Sequence, residues 1–311
     1  MKAILYNKKT LPDKLVYRDI DKPVPNDNEV LVKVIAVSLN AADYRSIQMG
    51  IIPRKKIFGS DVAGIVESTG KNIKEYRAGD EVVGELAGYG FGGLAEYAIA
   101  TEKLLVRKPA ALSFVDAAAL PMAGVTALTA LRKKSLQKGD KVLIIGSSGG
   151  VGTFALQFAK YFGAIVTAVC GTNHVEQANS LGADHVIDYT KEDFTKSHRS
   201  YDLIVAVNGN YSLLACRRIL NEKGTYVLVG GALSQIIKSI LFGWMLSFGS
   251  RKMRFLPASS SKKDLEFIIG LARDGKIKPV IDACFPMEKT ADAMRYLKGG
   301  HAGGKVVINV Q

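Results

Sequence analysis

Residues 141–152, KVLIIGSSGGVG, constrain the fold more than any other stretch: an apolar run breaks into a glycine-rich turn and then into a helix-like segment, 153–162. That order predicts a strand, a tight turn and a helix whose first amides are unpaired. The helix dipole adds partial positive charge there, so a pyrophosphate fits in front of it. The candidate phosphate-binding residues are Ser148, Gly149, Gly150, Val151 and Gly152. Gly149 lets the backbone approach the phosphates, and Gly152 lets the helix pack closely on the strand. Ser147 stands at the first fingerprint position, with Gly146 before it, so the motif is a variant of G-x-G-x-x-G. A second apolar segment, 165–169, follows at the distance of a βαβ unit. An ordinary strand-to-helix turn is the competing reading, and it leaves that setting unexplained.

An acidic residue at the tip of the second strand of such a unit holds the ribose 2′-hydroxyl of NAD, and its absence leaves room for a 2′-phosphate. Here the tip reads Cys170-Gly171-Thr172-Asn173-His174, with no carboxylate. Thr172, Asn173 and His174 can each donate a hydrogen bond, so NADP(H) is expected over NAD(H). The full charge on a 2′-phosphate would come from His174 if it is protonated. A solvated residue in the first turn of the next helix is the other reading of His174.

At 311 residues the chain is expected to form two domains. Three cysteines, Cys170, Cys216 and Cys284, lack C-x-x-C spacing, which argues against a disulfide framework or a cysteine zinc site and fits a reducing cytosol. Met1 to Tyr6 lack the apolar stretch of a signal peptide, so a cytoplasmic location is expected. The net charge of +13 is dispersed in short groups such as Arg132-Lys133-Lys134, without a basic tail or a stacking-aromatic motif. That distribution argues against nucleic acid and for attraction of anionic nucleotides.

The first part of the chain reads as short strands, over 14–17, 29–37, 62–68, 81–84 and 95–99, punctuated by glycines. From Ser113 the texture changes to helices alternating with apolar strands, over 142–145, 165–169, 185–187, 203–207, 225–229 and 253–256. This pattern predicts a parallel sheet covered on both faces. Two helices, 262–274 and 289–297, and a last strand, 305–310, suggest that the chain returns to the first domain.

Several segments in order give the chain a family resemblance: Ser38-Leu39-Asn40-Ala41-Ala42-Asp43, Phe58-Gly59-Ser60-Asp61-Val62-Ala63-Gly64, Ala78-Gly79-Asp80-Glu81-Val82, Gly92 to Tyr97, Ser147 to Gly152, and Gly303 to Val307. Over nearly its whole length it resembles the medium-chain dehydrogenase/reductase superfamily. The resemblance implies an α/β architecture: a Rossmann doubly wound parallel sheet, 115–258, inserted in a β-rich GroES-like catalytic domain, 1–114 and 259–311. Zinc-dependent members place a Cys where this chain has Asn40, a His where it has Ser60, and a further Cys near Met122. Asn, Ser and Met do not make the ligand set of a catalytic zinc. No metal is therefore expected, and the resemblance narrows to the zinc-independent quinone oxidoreductase and enone reductase branch, in which Asn40 and Asp43 are the expected pair. Related quinone reductases often carry a Tyr two residues after that Asp, where this chain has Arg45, with Tyr44 beside it.

This branch implies hydride transfer from NADPH to a small hydrophobic quinone or α,β-unsaturated carbonyl, in which the negative charge spreads to oxygen and hydrogen-bond donors suffice. Asn40 would offer its amide to the substrate or the ribose, Tyr44 or water would supply the proton, and Asp43 would order the loop. By the same resemblance Thr126 contacts the cofactor near its nicotinamide end, with a helix N-terminal threonine as the structural reading. Tyr189 lies beside the adenosine phosphate, and Gly230 and Gly231 let the backbone come close to the nicotinamide. Homodimers are the rule suggested by analogy. The apolar segment 236–248 is too short to span a bilayer. It reads first as a buried helix or dimer contact, second as a lid over a lipophilic substrate, and third as a peripheral membrane contact. A non-catalytic NADPH-binding protein is the alternative function, and an alcohol dehydrogenase ranks below it.

Overall fold

The computed structural model describes residues 1–311 except 7–14, 54–55, 208–210, 231–245, 248, 258 and 301. The described residues divide into two compact units, Met1–Val125 with Ser260–Gln311, and Thr126–Ser259.

In the first unit β1 (Lys2–Leu5) pairs antiparallel with β2 (Val16–Asp19). The main sheet has seven strands: β3 (Val30–Leu39), β4 (Asp61–Thr69), β5 (Glu81–Glu85), β6 (Tyr97–Ala100), β7 (Leu105–Arg107), β14 (Ile281–Pro286) and β15 (Lys305–Asn309). Its order is β14-β15-β3-β4-β5-β7, with β6 also on β3. The ten residues of β3, VLVKVIAVSL, are mostly β-branched or apolar and suit a buried pleat. A register shift between Val34 and Ala36 changes which parity faces the core, so Val30, Val32 and Val34 are followed there by Val37 and Leu39. Val62, Val66, Val82, Val306 and Ile308 complete that layer. Beyond the bulge the opposite parity of β3 carries Ser38 and then Asn40, and it is this polar face that holds the site.

Helices α1 (Ala41–Gln48), α2 (Phe114–Ala118), α7 (Lys262–Arg273) and α8 (Thr290–Lys298) belong to this unit, and α3 (Pro121–Leu131) begins in it. The sequence reading has Asp43 ordering a loop, but Asn40 and Asp43 form a capping box that starts α1. Thr126 is not at a helix N-terminus, as its structural reading has it; Pro121 opens α3 and Thr126 lies in the interior.

The second unit is a six-stranded parallel sheet of β8 (Lys141–Ile145), β9 (Ile165–Cys170), β10 (His185–Asp188), β11 (Tyr201–Ala206), β12 (Leu220–Leu228) and β13 (Lys252–Phe255). Its order, β10-β9-β8-β11-β12-β13, is 3-2-1-4-5-6 when counted within the unit, the doubly wound Rossmann order. Helices α4 (Gly150–Tyr161), α5 (Val175–Ser180) and α6 (Leu213–Arg218) belong to it. Leu143, Ile145, Val169, Ile187, Ile204 and Leu228 fill its core. Of the apolar segment 236–248, Leu246 and Ser247 are described: Leu246 packs on that core and its carbonyl accepts from Arg217 Nε at 2.9 Å. The rest of that segment, and Gly231, lie outside the described residues.

Candidate functional site

The glycine-rich turn follows β8 at the switch point of the sheet order. Gly146 has φ +78°, a conformation that favours glycine, and its amide and that of Ser147 both donate to Val169 O at 3.1 Å. Ser147 is buried and its hydroxyl donates to the same carbonyl at 3.1 Å, so the residue at the first fingerprint position ties the turn to β9. Gly149 is the N-cap of α4 and supplies no side-chain cap. A Cβ at Gly152 would fall 2.1 Å from Gly146 O, whereas one at Gly149 would meet nothing nearer than 3.8 Å. Gly152 is thus required by helix packing, and Gly149 keeps the space ahead of the helix clear. Gly150, Val151 and Gly152 open α4, whose first turn holds no acidic residue. Their amides are the helix's orphan donors, which fits a pyrophosphate.

At the tip of β9, Thr172 and Asn173 are exposed and His174 is half-buried. Tyr189, after β10, is 55% exposed. A Cβ at Gly171 would lie 3.3 Å from Tyr189 Oη, so the two strand ends come together. Asp188, the last residue of β10, pairs in register with Cys170 and is buried. Its Oδ2 accepts from Thr172 Oγ1 at 2.6 Å, and its Oδ1 accepts from Thr190 Oγ1 at 2.7 Å and Thr190 N at 3.0 Å. Lys191 Nζ lies 3.4 Å from Oδ2. The hydrogen bond from Thr172 is the largest reason that Asp188 is held down to about 2. A carboxylate therefore does reach the β9 tip, from the neighbouring strand. Gly230 is buried after β12, and Thr126 is 9% exposed.

The second polar site belongs to the first unit. Antiparallel pairing sets Glu85 opposite Asp61 and Asp61 opposite Ser38, and the pairing of Val306 with Leu39 brings Lys305 beside Asn40. Lys305 Nζ donates to Asn40 Oδ1 at 2.6 Å and to Leu39 O at 3.3 Å, and it lies 3.7 Å from Asp61 Oδ2. Asn40 Nδ2 donates to Asp61 Oδ2 at 2.9 Å and to Ser60 Oγ at 3.2 Å. Both hydrogens of the amide are thus directed into the cluster. From α3, Met122 N donates to the two oxygens of Asp61 at 3.3 and 3.2 Å. Asp43 accepts from Asn40 N at 2.9 Å, closing the cap of α1.

Asp43 and Asp61 are fully buried, and Lys305 is 3% exposed. Burial pushes Asp43 up to about 6, although the Asn40 and Gly59 amides and the Lys305 ammonium favour its ionised form. Burial likewise raises Asp61 and lowers Lys305, with each opposing the shift of the other. Tyr44 turns elsewhere: its ring packs on the apolar core with Lys298 Nζ 5.9 Å from the centroid. Gln48 Nε2 donates to its hydroxyl at 2.6 Å. Tyr44 Oη, accepting there, keeps its own hydrogen to give.

The positions at which zinc-bearing relatives carry their ligands thus converge on one cluster, and its cation is an ammonium. Asn40 Oδ1 is taken by Lys305, and a divalent ion there would stand against like charge. The residues present do not fit a catalytic metal. Among the described residues no group of three or more His, Cys, Asp or Glu side chains is arranged to hold one.

Residues 26–110 match the family model described as alcohol dehydrogenase GroES-like domain, and 181–308 that of zinc-binding dehydrogenase. The chain is 37% identical to a chloroplast envelope quinone oxidoreductase homolog of Arabidopsis thaliana, over 94% of this chain and 93% of that protein. It is 35% identical to the NADPH-dependent alkenal/one oxidoreductase of the same plant, over 99% of this chain and 79% of that protein. Among solved structures, the quinone oxidoreductase of Coxiella burnetii superposes with a TM-score of 0.90 at 29% identity, covering 100% of this chain and 99% of that one.

Proposed function

The chain belongs to the medium-chain dehydrogenase/reductase superfamily, in its zinc-independent quinone oxidoreductase and enone reductase branch. From that premise we propose that it is an NAD(P)H-dependent oxidoreductase that reduces a quinone or an α,β-unsaturated carbonyl. The observation that favours these acceptors over an isolated ketone is the Lys305 ammonium on Asn40 in the zinc position, since an isolated ketone gains more than a conjugated acceptor from a Lewis acid that this donor set does not fit.

A bound nicotinamide would supply the hydride that a conjugated acceptor takes up. Gly149 to Gly152 would hold the pyrophosphate, and Thr126 and Gly230 would serve the nicotinamide end. Asn40 acts as a positioning residue, because its amide oxygen and nitrogen are engaged by Lys305, Asp61 and Ser60, and Asp43 positions it by accepting from its backbone amide. Tyr44 Oη or a water gives the proton that balances the transferred hydride. Replacing Tyr44 with Phe is expected to lower kcat by about tenfold or more with little change in KM for the cofactor; an unchanged kcat would assign the proton to water.

NADPH is the preferred cofactor in this reading. Asn173, His174 and Lys191 favour a 2′-phosphate, and Asp188 opposes it. A homodimer in a reducing, cytoplasmic setting completes the proposal, supported by the position of β13 at the end of the sheet among the described strands and by three cysteines outside any disulfide. Among the described residues no helix is long and apolar enough to cross a membrane.

The test is NADPH oxidation with a quinone and with an enone, before and after chelator treatment. Turnover that survives the chelator is expected. Tight NADPH binding without turnover on either acceptor would instead favour a binding protein, and chelator-sensitive activity an alcohol dehydrogenase.

A further inference from the structure

The end of β9 brings Thr172 against the carboxylate of Asp188 from the neighbouring strand. Thr172 follows Gly152 by 20 residues, the separation at which a Rossmann unit presents the side chain that meets the ribose 2′ position. Its hydroxyl has one hydrogen, and that hydrogen goes to Asp188 Oδ2 at 2.6 Å. Thr190 gives its hydroxyl hydrogen to Oδ1 of the same carboxylate at 2.7 Å. The two hydroxyl oxygens lie 3.0 Å apart, and with both hydrogens given to Asp188 each keeps only lone pairs to offer a ligand. A lone pair receives a ribose 2′-hydroxyl and repels a 2′-phosphate. Asp188 itself accepts from two hydroxyls and one amide, with Lys191 Nζ 3.4 Å away, so it acts through Thr172 rather than by receiving the ribose.

We propose that Asp188 is a specificity-determining positioning residue that restrains the preference for NADPH, by turning Thr172 into an acceptor and by placing a full negative charge beside the 2′ position. Asn173, His174 and the Lys191 ammonium pull the other way, and the balance between the two sets is what the cofactor meets. The inference rests on the nicotinamide-cofactor reading but not on which nicotinamide the native chain prefers.

In Asp188→Asn the amide can donate to Thr172 or Thr190, which frees a hydroxyl hydrogen for a phosphate and removes the charge. Titration calorimetry of NADP⁺ and NAD⁺ into the unliganded protein reads this without turnover. The ratio of the two affinities is expected to move toward NADP⁺ by about tenfold in D188N. Thr172→Val is the second variant, and it decides the matter if D188N does not fold. It is expected to weaken NAD⁺ by several-fold while NADP⁺ changes little, because only the 2′-hydroxyl loses its acceptor. A ratio that stays put or moves toward NAD⁺ in the variant that folds would overturn the proposal. A wild-type chain that prefers NAD⁺ while D188N still shifts toward NADP⁺ would sink the NADPH reading and leave this one standing. Failure of the wild type to bind either nucleotide would remove both.

Discussion

A buried lysine in a reductase without metal ligands is a costly residue, and Lys305 shows what the cost maintains. The ammonium is satisfied by Asn40 Oδ1, Leu39 O and the nearby Asp61 carboxylate, all on one face of one sheet. Replacing Lys305 with Met leaves two buried carboxyls without their cation and is expected to cost about 3–5 kcal/mol. The double variant Lys305→Met with Asp61→Asn recovers much of that loss, as denaturant melts of the four proteins would reveal; equal losses in the single and double variants would argue against the pairing. Asp43 makes the effect of pH legible. The folded chain holds its proton to about pH 6 and the unfolded chain only to about 3.8, so between these values the folded state carries the extra proton and loses stability as pH rises. Asp43→Asn removes that loss: melting measured from about pH 4 to about pH 6.5 is expected to show the variant gaining on the wild type, by up to ~3 kcal/mol. Parallel curves would mean that Asp43 is not the group that titrates. These contacts were invisible in the sequence for a simple reason. Lys305 and Asn40 are 265 positions apart, and no local pattern reports a partner at that separation. The Asp188 carboxylate is hidden differently: nothing in residues 170–174 reports the strand that lies beside them.

The elements themselves were easier to anticipate, because most carry their periodicity with them. The run of apolar residues in β8 and the glycines after it specify a strand and a turn by chemistry that acts over a dozen residues. Both the sheet and its insertion into a GroES-like domain agree with that reading. Helix α1 and strand β14 were missed. Helix α1 is only eight residues long and its signal is the Asn40–Asp43 cap rather than a stripe. Strand β14 reads IDACFP, with an Asp and a terminal Pro that argue against a strand, and it forms by pairing parallel with β15. The turn before α4 offers the sharpest test at this scale. In Gly152→Ala the new methyl would sit 2.1 Å from Gly146 O, so the turn or the helix must move. Nucleotide affinity by calorimetry is expected to fall by about tenfold or more, with about 1–3 kcal/mol lost from folding. Gly149→Ala, which meets nothing nearer than 3.8 Å in the protein, should fold normally and lose affinity alone; a destabilised Gly149→Ala would contradict this division of labour.

Across the whole molecule the net charge of +13 acts on an anionic cofactor before any single contact forms. Raising ionic strength from about 0.05 M to about 0.5 M shortens the screening length severalfold, so kcat/KM for NADPH is expected to fall, and to fall more than for NADH, which carries less charge. Equal salt slopes for the two would locate the discrimination in short-range contacts only. The return of the chain to its first unit has a further consequence, which concerns the order in which the protein can be made. Strand β15 is not an edge: it lies between β14 and β3, and it brings Lys305 to Asn40. A ribosome releases residues 1–125 long before 305–309 exist. Until then residues 36–39 of β3 lack the partner that β15 supplies, and the carboxyls of Asp43 and Asp61 have no Lys305 ammonium beside them. The doubly wound unit, continuous from 126 to 259, can complete its sheet first. The half of the protein synthesised first is therefore the half that matures last, and a chain stopped just short of β15 would emerge with a finished nucleotide fold joined to an open one.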